Sequence, residues 1–511
     1  MMQILDCTLR DGGYYTDWDF DESAVGAYVR SLNHLPVDYI EVGYRQNPAD
    51  EYIGCFGYCP VSVLRRIREQ TTKKLAVMLN EKNTSVGDLP RLVFPLLGII
   101  DMVRIATAPS RISAAMTLAR WLKQSGFEVA LNLMYMSSWD DTLWDDLSQA
   151  DGIIDVINMV DSYGSVMPSD IAPAIQRMRG ATTCKIGFHG HNNLQLAFAN
   201  TIAAIDSGAD IIDSTLLGMG RGAGNLHTEL LLAYLNKKHS LPVDFNQLSN
   251  AVTAFTPLYE KYRWGTCLPY ILSGINSFPQ KEVMEWVSNR IYSFNSIVRA
   301  LENKKDQRAD NAKYPVGEAI ANHSSVLVVG GGRSVERHAA ILREYIYTSP
   351  STAVVFTTAR YANLFEEFYD RSYFVLIGNE CLRFSQNVRP ELFSGRCVLP
   401  PYPRVMGTDV PDFVRDKTFE LSEISFVDRY KDSVTAVALQ LAINLTRGEI
   451  LVAGYDGYKG EILRDKEATL MAENEFIFQA FMAAGNRHSI FSVTPTMYKS
   501  LPVRSIYQIL T

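Results

Sequence analysis

The sequence has few cysteines for its length, and they do not form a regular pattern. The 511 residues include seven cysteines, scattered from Cys7 to Cys397. An odd, scattered set in a long chain excludes the disulfide framework typical of small secreted domains. Cys55 and Cys59 have the spacing of half a zinc site, but no second pair with finger-like spacing follows. We expect the thiols to be reduced.

Long hydrophobic runs and blocks of like charge are absent too. The longest apolar run, around Leu92 to Ile100, is too short to span a membrane and contains Pro95. The start, MMQILDCTLRDGG, lacks a basic segment followed by an apolar one, so we expect a cytoplasmic protein. A net charge of −7 without a recurring Lys/Arg block indicates neither a nucleic-acid nor a membrane partner. The expected partners are therefore small molecules.

Eight short apolar or β-branched runs dominate the first half, each followed by turn residues or a stretch of helical period. They are ILDCT, YIEVGY, KLAVML, MVRIAT, VALNLMY, VINMVDS, KIGFHGH and IIDSTLLG. Eight strands alternating with helices over ~220 residues is the rhythm of a (β/α)8 barrel. The predicted fold class is α/β, with a TIM-barrel catalytic domain at residues 1–235.

Two further regions follow the predicted barrel. Residues 236–310 have a helical pattern that ends in a polar linker, NKKDQRADNAKYP, and this extension is a candidate surface for a homo-oligomer. Residues 320–511 alternate strands and helices, which predicts a doubly wound α/β domain.

The second α/β domain begins with a strand, a glycine turn and a helix, VLVVGGGRSVERH. Such a turn can hold a phosphate at a helix N-terminus. Val335 replaces the third glycine of a dinucleotide-binding fingerprint, so the pattern is incomplete. The sequence leaves open whether this domain binds a phosphate or nucleotide ligand or has a purely structural role. Asp456, Glu473, Asn474 and Glu475 either line its cleft or are ordinary solvated residues.

Polar residues cluster at the predicted carboxyl ends of the barrel strands, where barrel enzymes place their active sites. Buried charges in apolar strands need partners or a metal. The candidates are Arg10, Asp11, Tyr14, Glu41, Arg104, Asn132, Asp161, His189, His191, Arg221 and Asn225.

Three of these residues suggest a metal site. His189 and His191 are two apart on a strand, so both rings point to one face, and Asp11 at the end of strand one is a natural carboxylate partner. Such a set leaves coordination positions for substrate and water. A pair of histidines joined only by hydrogen bonds is the alternative, and Arg10 with Glu41 is equally compatible with a structural ion pair.

Five motifs carry a resemblance to a known family. They are DCTLRDGGY from Asp6, IEVG from Ile40, VDSYG from Val160, GFHGHNNLQLAFAN from Gly187 and GMGRGAGNLHTE from Gly218. In this order and spacing they resemble the DRE-TIM metallolyase (HMGL-like) superfamily, which includes hydroxymethylglutaryl-CoA lyase, isopropylmalate synthase and 4-hydroxy-2-oxovalerate aldolase. The loop GMGRGAGN is similar to the aldolase version, because the lyases carry a cysteine there and this chain does not.

The resemblance implies roles for the metal set. Asp11, His189 and His191 would bind a divalent cation, Mn²⁺ or Mg²⁺, and Asn225 would support the metal or its water. The metal would bind a 2-oxo acid and stabilise its enolate.

The resemblance also assigns the groups around the substrate. Arg10 would stabilise the enolate oxygen, and Glu41 would orient Arg10. Arg104, Asn132, Asp161 and Arg221 are candidate substrate contacts, although Asn132 and Asp161 are equally plausible as hydrogen-bonding braces.

Tyr14 departs from the family pattern. The aldolases have a histidine there that serves as base, and the synthases and lyases have glutamine. A tyrosine with an ordinary pKa near 10 is a poor base at neutral pH. Tyr14 therefore either has a lowered pKa, donates a hydrogen bond while Tyr135 or water acts as the base, or only shapes the pocket.

We therefore expect a metal-dependent aldolase, a carbon–carbon lyase that forms a pyruvate-type enolate for aldol cleavage or condensation with an aldehyde. One alternative is a Claisen-type acyltransferase that uses acyl-CoA, but the glutamine that would favour it is absent. The other is a non-catalytic ligand-binding barrel, which only Tyr14 favours.

Overall fold

The structure is a computed structural model of the chain. It describes residues 2–50, 52–140, 143–279, 283, 297–298, 300–302, 313–317, 322–378, 380–404, 409–458, 465–485 and 488–510. Two compact units divide the chain between residues 281 and 282.

The first unit contains eight parallel strands in a closed barrel, which confirms the predicted TIM barrel. Each strand lies beside the next along the chain, and β8 pairs with β1 to close the barrel. The strands are β1 (Gln3–Asp6), β2 (Tyr39–Tyr44), β3 (Lys74–Asn80), β4 (Met102–Thr107), β5 (Glu128–Leu133), β6 (Val156–Asp161), β7 (Lys185–Gly190) and β8 (Ile211–Ser214).

The barrel interior has an apolar layer followed by a polar layer. The apolar layer is a buried cluster of Leu5, Cys7, Tyr39, Ala76, Met102, Ala130, Val156 and Ile211. Alternate residues of a strand point to the same face, so the residues two positions further along also face the interior. Five of these are polar and buried, namely Glu41, Arg104, Asn132, Asn158 and Asp213. The polar groups are therefore gathered toward the carboxyl end of the barrel.

Helices follow or flank the barrel strands. They are α1 (Thr8–Thr16), α2 (Glu22–Leu32), α3 (Cys55–Tyr58), α4 (Val61–Gln70), α5 (Leu89–Leu92), α6 (Ile112–Gln124), α7 (Leu143–Leu147), α8 (Pro168–Ala181), α9 (Ala197–Asp206), α10 (Thr228–His239), α11 (Phe245–Tyr262) and α12 (Leu268–Ile275).

The segment after β1 differs from the expectation. We predicted that Arg10 and Asp11 end strand one, whereas β1 stops at Asp6 and both residues lie on α1. The Asp6 carboxylate accepts hydrogen bonds from the backbone N–H and the hydroxyl of Thr8, at 2.9 and 2.6 Å, and so turns the chain into the helix. A Cβ on Gly13 would lie 2.1 Å from the Trp18 ring, so this packing requires glycine.

The second unit has a seven-stranded parallel sheet, as expected for an α/β domain. Its strand order is β13-β12-β11-β10-β9-β14-β15. The strands are β9 (His323–Val329), β10 (Thr352–Phe356), β11 (Ser372–Val375), β12 (Arg396–Leu399), β13 (Thr418–Glu420), β14 (Thr446–Ala453) and β15 (Ile490–Ser492). The helices are α13 (Ser334–Arg337), α14 (Ala339–Thr348), α15 (Glu380–Asn387), α16 (Val434–Leu445), α17 (Asp465–Ala483) and α18 (Ile506–Ile509).

The boundaries expected at residues 235 and 310 stay predictions. Helices α11 and α12 lie in the expected extension. The rest of the extension, with the expected helix KEVMEWVSNRIYSFNSIVRALE and the linker NKKDQRADNAKYP, falls mostly outside the described residues. In the part of the chain that the structure describes, no helix has the length and apolar character needed to cross a membrane.

Candidate active site and metal centre

A cavity of about 160 Å³ opens at the carboxyl end of the barrel. Seven of the residues expected from the sequence line it, namely Arg10, Asp11, Tyr14, Asn132, His189, His191 and Arg221. The other lining residues are Tyr44, Met78, Ala106, Met134, Tyr135, Val160, Ser162, Tyr163 and Pro279. The barrel therefore brings most of the predicted site residues to one place.

Charged side chains beneath the cavity form a continuous network. Glu41 accepts one hydrogen bond from Arg10 Nε and one from Arg104 Nη1, both at 2.9 Å. Arg104 is fully buried, and its guanidinium also pairs with Asp213 and donates to Asn132 at 3.0 Å. These contacts prevent Arg104 from reaching into the cavity, so it orients its neighbours.

The network has an excess of negative charge. Asp11, Glu41 and Asp213 are three buried carboxylates, while Arg10 and Arg104 are the two guanidiniums that pair with them. The formal charge of these five groups is −1. An unbalanced buried charge is costly, so this centre favours binding of a cation.

The orientation of His189 is set by Asp213. Burial acts to raise the pKa of Asp213, but Arg104 and His189 outweigh it and lower the pKa to about 2. The ionised carboxylate accepts a hydrogen bond from His189 Nδ1 at 3.0 Å. In the neutral form of the ring Nε2 would carry the lone pair, and this atom lies 3.5 Å from Asp11 Oδ2. A carboxylate behind a histidine is a common arrangement around protein-bound metals.

His191 is oriented in the same way by a backbone group. Its Nδ1 lies 2.7 Å from the carbonyl oxygen of Asp161, which can only accept, so Nδ1 carries the proton. Burial, together with the neighbouring His189, lowers the pKa of His191 to about 4. The ring is therefore neutral at neutral pH, with the Nε2 lone pair available to a metal.

Asp11 and Asn225 complete the candidate metal centre. Burial acts to raise the pKa of Asp11, but Arg10, the two histidines and Asn225 together hold it below its usual range. Asn225 Nδ2 donates to Asp11 Oδ2 at 2.7 Å, and Asn225 Oδ1 is buried without a hydrogen-bond partner in the described chain. Two imidazole nitrogens, a carboxylate and an unsatisfied amide oxygen fit a divalent cation with positions left for substrate.

A second group of potential ligands lies nearby. Potential ligand atoms of Cys7, His189 and Asp213 all lie within 4.8 Å of one another. Burial raises the pKa of the Cys7 thiol well above its usual range, which disfavours the thiolate that would bind a metal. Asp213 is already paired with Arg104 and with His189 Nδ1. The set of Asp11, His189 and His191 therefore fits a metal better.

Two tyrosines and an arginine line one side of the cavity. The hydroxyls of Tyr14 and Tyr44 are 3.3 Å apart. Tyr14 is 44% exposed, and the Arg221 guanidinium lies 5.6 Å from the centre of its ring. Burial raises the pKa of Tyr44 well above its usual range, so Tyr44 stays a neutral hydroxyl.

Four of the expected residues do not line the cavity, namely Glu41, Arg104, Asp161 and Asn225. Asp161 had been a candidate substrate contact, but its carboxylate accepts from the backbone N–H groups of Ser165 and Val166. Burial raises the pKa of Asp161 to about 6. The structure thus places Asp161 and Arg104 behind residues that face the cavity.

Asp213 and Tyr44 are residues of the site that the sequence reasoning missed. Asp213 is a charge inside the apolar strand IIDS, which is the same signal that identified Glu41 and Arg104. Tyr44 ends β2 and has no distinguishing pattern. Only the fold shows that its hydroxyl meets that of Tyr14.

Comparisons with known proteins show the family of this chain. A family model described as HMGL-like matches residues 104–254. An oxaloacetate decarboxylase from Mycobacterium tuberculosis is 30% identical over 259 residues, covering 48% of this chain and 74% of that protein. A 4-hydroxy-2-oxovalerate aldolase from Thermomicrobium roseum is 32% identical over 238 residues, covering 46% of this chain and 67% of that protein. The chain belongs to the HMGL-like family.

Membership in the HMGL-like family confirms the resemblance to the DRE-TIM metallolyases and makes this chain an enzyme of that lyase superfamily. Members of this aldolase group use a divalent metal. A crystal structure of the N-terminal domain of a Bacteroides vulgatus protein, described as an aldolase, is 56% identical with a TM-score of 0.57. The match covers the full length of that crystallised domain and 58% of this chain.

Proposed function

We propose that the barrel is a divalent-metal-dependent aldolase that forms the enolate of a pyruvate-type 2-oxo acid. In cleavage, breaking the carbon–carbon bond to the aldehyde carbon releases this enolate, and in condensation the enolate attacks the aldehyde carbon to make the same bond. The observation that carries this proposal is the set of Asp11, His189 and the partly buried His191, with the unsatisfied Asn225 Oδ1 beside it. Both imidazoles are held with Nε2 available, which is how metal-binding histidines are oriented.

Asp11, His189 and His191 would hold the metal, and Asn225 would contact it directly or through water. Mn²⁺ and Mg²⁺ are the ions that we propose. A bound cation would act as a Lewis acid on the keto and carboxylate oxygens of the 2-oxo acid.

Arg10 is the second source of positive charge in the cavity. Its Nε donates to Glu41 at 2.9 Å and its Nη1 pairs with Asp11, which leaves Nη2 without a partner in the described chain. This guanidinium is fixed before substrate arrives, so its donors are positioned for charge that develops on the keto oxygen. Glu41 and Arg104 act through Arg10 and are positioning residues.

Tyr14 is our candidate for proton transfer. In aldol cleavage the hydroxyl proton of the substrate must leave as the carbon–carbon bond breaks, and in condensation the new alkoxide must gain one. The Tyr14 hydroxyl lines the cavity and meets the neutral Tyr44 hydroxyl at 3.3 Å. We propose that Tyr14 relays the proton that a histidine transfers in related aldolases. In cleavage its hydroxyl takes the substrate proton as its own proton passes to water on its exposed side, the reverse occurs in condensation, and Tyr44 holds the hydroxyl in position.

A second candidate is decarboxylation of a 2-oxo acid that has a carboxylate at its fourth carbon. It is favoured by the 30% identity to an oxaloacetate decarboxylase. Loss of CO₂ from such a substrate leaves the same pyruvate enolate as aldol cleavage, so one site is suited to both reactions. The two proposals differ in the leaving group.

The test is proton exchange of pyruvate in D₂O, followed by NMR after metal is removed from each aliquot. We expect loss of the methyl signal with the Mn²⁺-loaded or Mg²⁺-loaded protein and none with the EDTA-treated protein or a His189→Ala variant. His239→Ala changes an exposed histidine at the end of α10 and is the matched control. Oxaloacetate and 4-hydroxy-2-oxo acids are then supplied, and released CO₂ or aldehyde identifies the leaving group. A protein that bound no Mn²⁺ and exchanged no protons would contradict the proposal.

A further inference from the structure

The second unit contains a cavity whose described lining residues all belong to that unit. Its volume is about 370 Å³, within the range of small-molecule sites. It is lined by the loops that follow β9, β10 and β14, through Gly330, Thr357 and Gly454 among others. Strand β9 pairs with β10 on one side and β14 on the other, so the strand order reverses at this point. Doubly wound sheets bind their ligands in such crevices.

The glycine turn after β9 does not hold an anion in the way that its sequence suggested. Asp456 accepts hydrogen bonds from the backbone N–H of Ser334, at 2.9 Å, and from its hydroxyl. A Cβ on Gly332 would lie 2.5 Å from this carboxylate. Gly332 therefore makes room for Asp456, which already occupies the start of α13.

The start of α16 offers an anion site in the same cavity. Ser433, Val434 and Thr435 line the cavity at the beginning of this twelve-residue helix. The first N–H groups of a helix have no acceptor within it, and the N-terminus attracts negative charge. No side chain caps α16 among the described residues. Ser433 is 5% exposed, and its hydroxyl has no hydrogen-bond partner in the described part of the chain.

Two arginines add positive charge to this cavity. Arg360 lines it and donates from Nη1 to the carbonyl oxygen of Gly331 at 2.9 Å. Arg360 forms no ion pair with any residue that the structure describes, so its charge is available to a ligand. Arg383 also lines the cavity, but it pairs with Glu380 three residues earlier. Arg360 is therefore the side chain that would form an ion pair with an anionic ligand.

Acidic and amide side chains line the cavity as well. They include Asp432, Glu473 and Asn474. Carboxylates repel a bare phosphate but accept hydrogen bonds from hydroxyl groups. A ligand that fits all of these surroundings has an anionic group and a part rich in hydroxyls.

We propose that this crevice binds a phosphorylated sugar, either free or as the sugar-phosphate part of a nucleotide. The phosphate contacts the start of α16, the Ser433 hydroxyl and Arg360. The sugar hydroxyls face the carboxylates and Asn474. The C-terminal domain thus has a ligand site of its own, which the HMGL-like assignment of the barrel does not cover.

The test is calorimetric titration of the full chain with inorganic phosphate, glucose 1-phosphate, ribose 5-phosphate, ADP, GDP and UDP, each with and without Mg²⁺. We expect at least one organic phosphate to bind more tightly than inorganic phosphate. Its affinity should fall at least about tenfold in Arg360→Ala and in Ser433→Ala, because each variant removes a hydrogen bond to a charged group. Arg343→Ala removes an exposed arginine of α14 in the same domain and should leave the affinity unchanged.

Each outcome of this titration either identifies the class of ligand or overturns the proposal. Binding of free sugar phosphates identifies them as the ligand, whereas binding of nucleotides alone identifies the sugar-phosphate of a nucleotide. The proposal is overturned if no probe binds, if inorganic phosphate binds as well as every organic probe, or if both cavity variants bind as the wild type does. Pyruvate exchange by the barrel should be the same in all three variants.

Discussion

Asp213 determines, through one hydrogen bond, which nitrogen of His189 is available to a metal. An Asp213→Asn variant keeps the size of the side chain but removes the charge that accepts from His189 and Arg104. We expect its Mn²⁺ affinity to fall about 10- to 100-fold, as is typical when a residue behind a metal ligand is changed. Electron paramagnetic resonance of free Mn²⁺ measures this affinity. Asp206→Asn, at the exposed end of α9, should bind as the wild type does, and equal affinity in both variants would disprove the role of Asp213.

Tyr14 acts on the proton and not on the metal in our proposal. Tyr14→Phe removes only the hydroxyl that meets Tyr44 at 3.3 Å. We expect kcat for carbon–carbon cleavage to fall about 10²- to 10⁴-fold, the usual contribution of proton transfer by a side chain. Mn²⁺ affinity should not change. Tyr52→Phe, at a residue that is 74% exposed, is the control, and a Tyr14→Phe enzyme with full activity would assign the proton to another group.

The loop after β8 supports the metal centre through one close contact. A Cβ on Gly220 would lie 2.5 Å from Asn225 Nδ2 and 2.8 Å from its Oδ1. Gly220→Ala should therefore displace Asn225 and weaken Mn²⁺ binding. Gly180→Ala adds the same methyl group to α8, where nothing lies within 4 Å, and should have no effect on the metal. Titration with Mn²⁺ compares the metal affinities of the two variants. Equal affinities would show that the position of Asn225 does not affect metal binding.

Helix α2 depends on an N-cap carboxylate. Asp21 accepts from the backbone N–H groups of Ser23 and Ala24, at 2.9 and 3.1 Å, and the Ser23 hydroxyl is the first cause of its lowered pKa. Because the folded state lowers the pKa of Asp21, the ionised carboxylate stabilises the helix at pH values above the unfolded-state pKa. This stabilisation is lost as the pH falls through the folded-state pKa. We expect Asp21→Ala to speed hydrogen exchange of α2 at neutral pH.

The pH dependence and a matched variant test this cap. The difference in exchange between Asp21→Ala and the wild type should narrow below about pH 4, where an ordinary aspartate takes up its proton. Asp21→Asn keeps an accepting oxygen without the charge, so at neutral pH its exchange should lie between those of Asp21→Ala and the wild type. A difference that stayed constant with pH would show that the carboxylate charge does not matter.

At the scale of the whole molecule, metal binding should stabilise the barrel and leave the second unit unchanged. Binding at a hundred times Kd adds about 2.7 kcal/mol of stability to the state that binds. We expect Mn²⁺ to raise the midpoint temperature of one calorimetric unfolding transition relative to that of the EDTA-treated protein, since the candidate ligands all lie in the first unit. His189→Ala should abolish the shift. A shift that persisted in this variant would place the metal elsewhere.

Much of the barrel and its site followed from local pattern. The alternation of apolar strands with helices predicted the closed sheet, and charges inside apolar strands marked Glu41 and Arg104. The same pattern at Asp213 was present but overlooked.

The sequence by itself determined the fold class and seven of the sixteen residues that line the barrel cavity, because strand periodicity and motif order are local properties. Only the tertiary structure decided which side chains face substrate and which orient them, since that depends on contacts between residues far apart in the chain. It showed that Arg10 and Asp11 lie on α1, not at the end of a strand, and that Arg104 lies behind the cavity. It also brought Asp456, more than a hundred residues away, against Ser334, at the glycine turn where the local pattern had left open a phosphate site or a structural role.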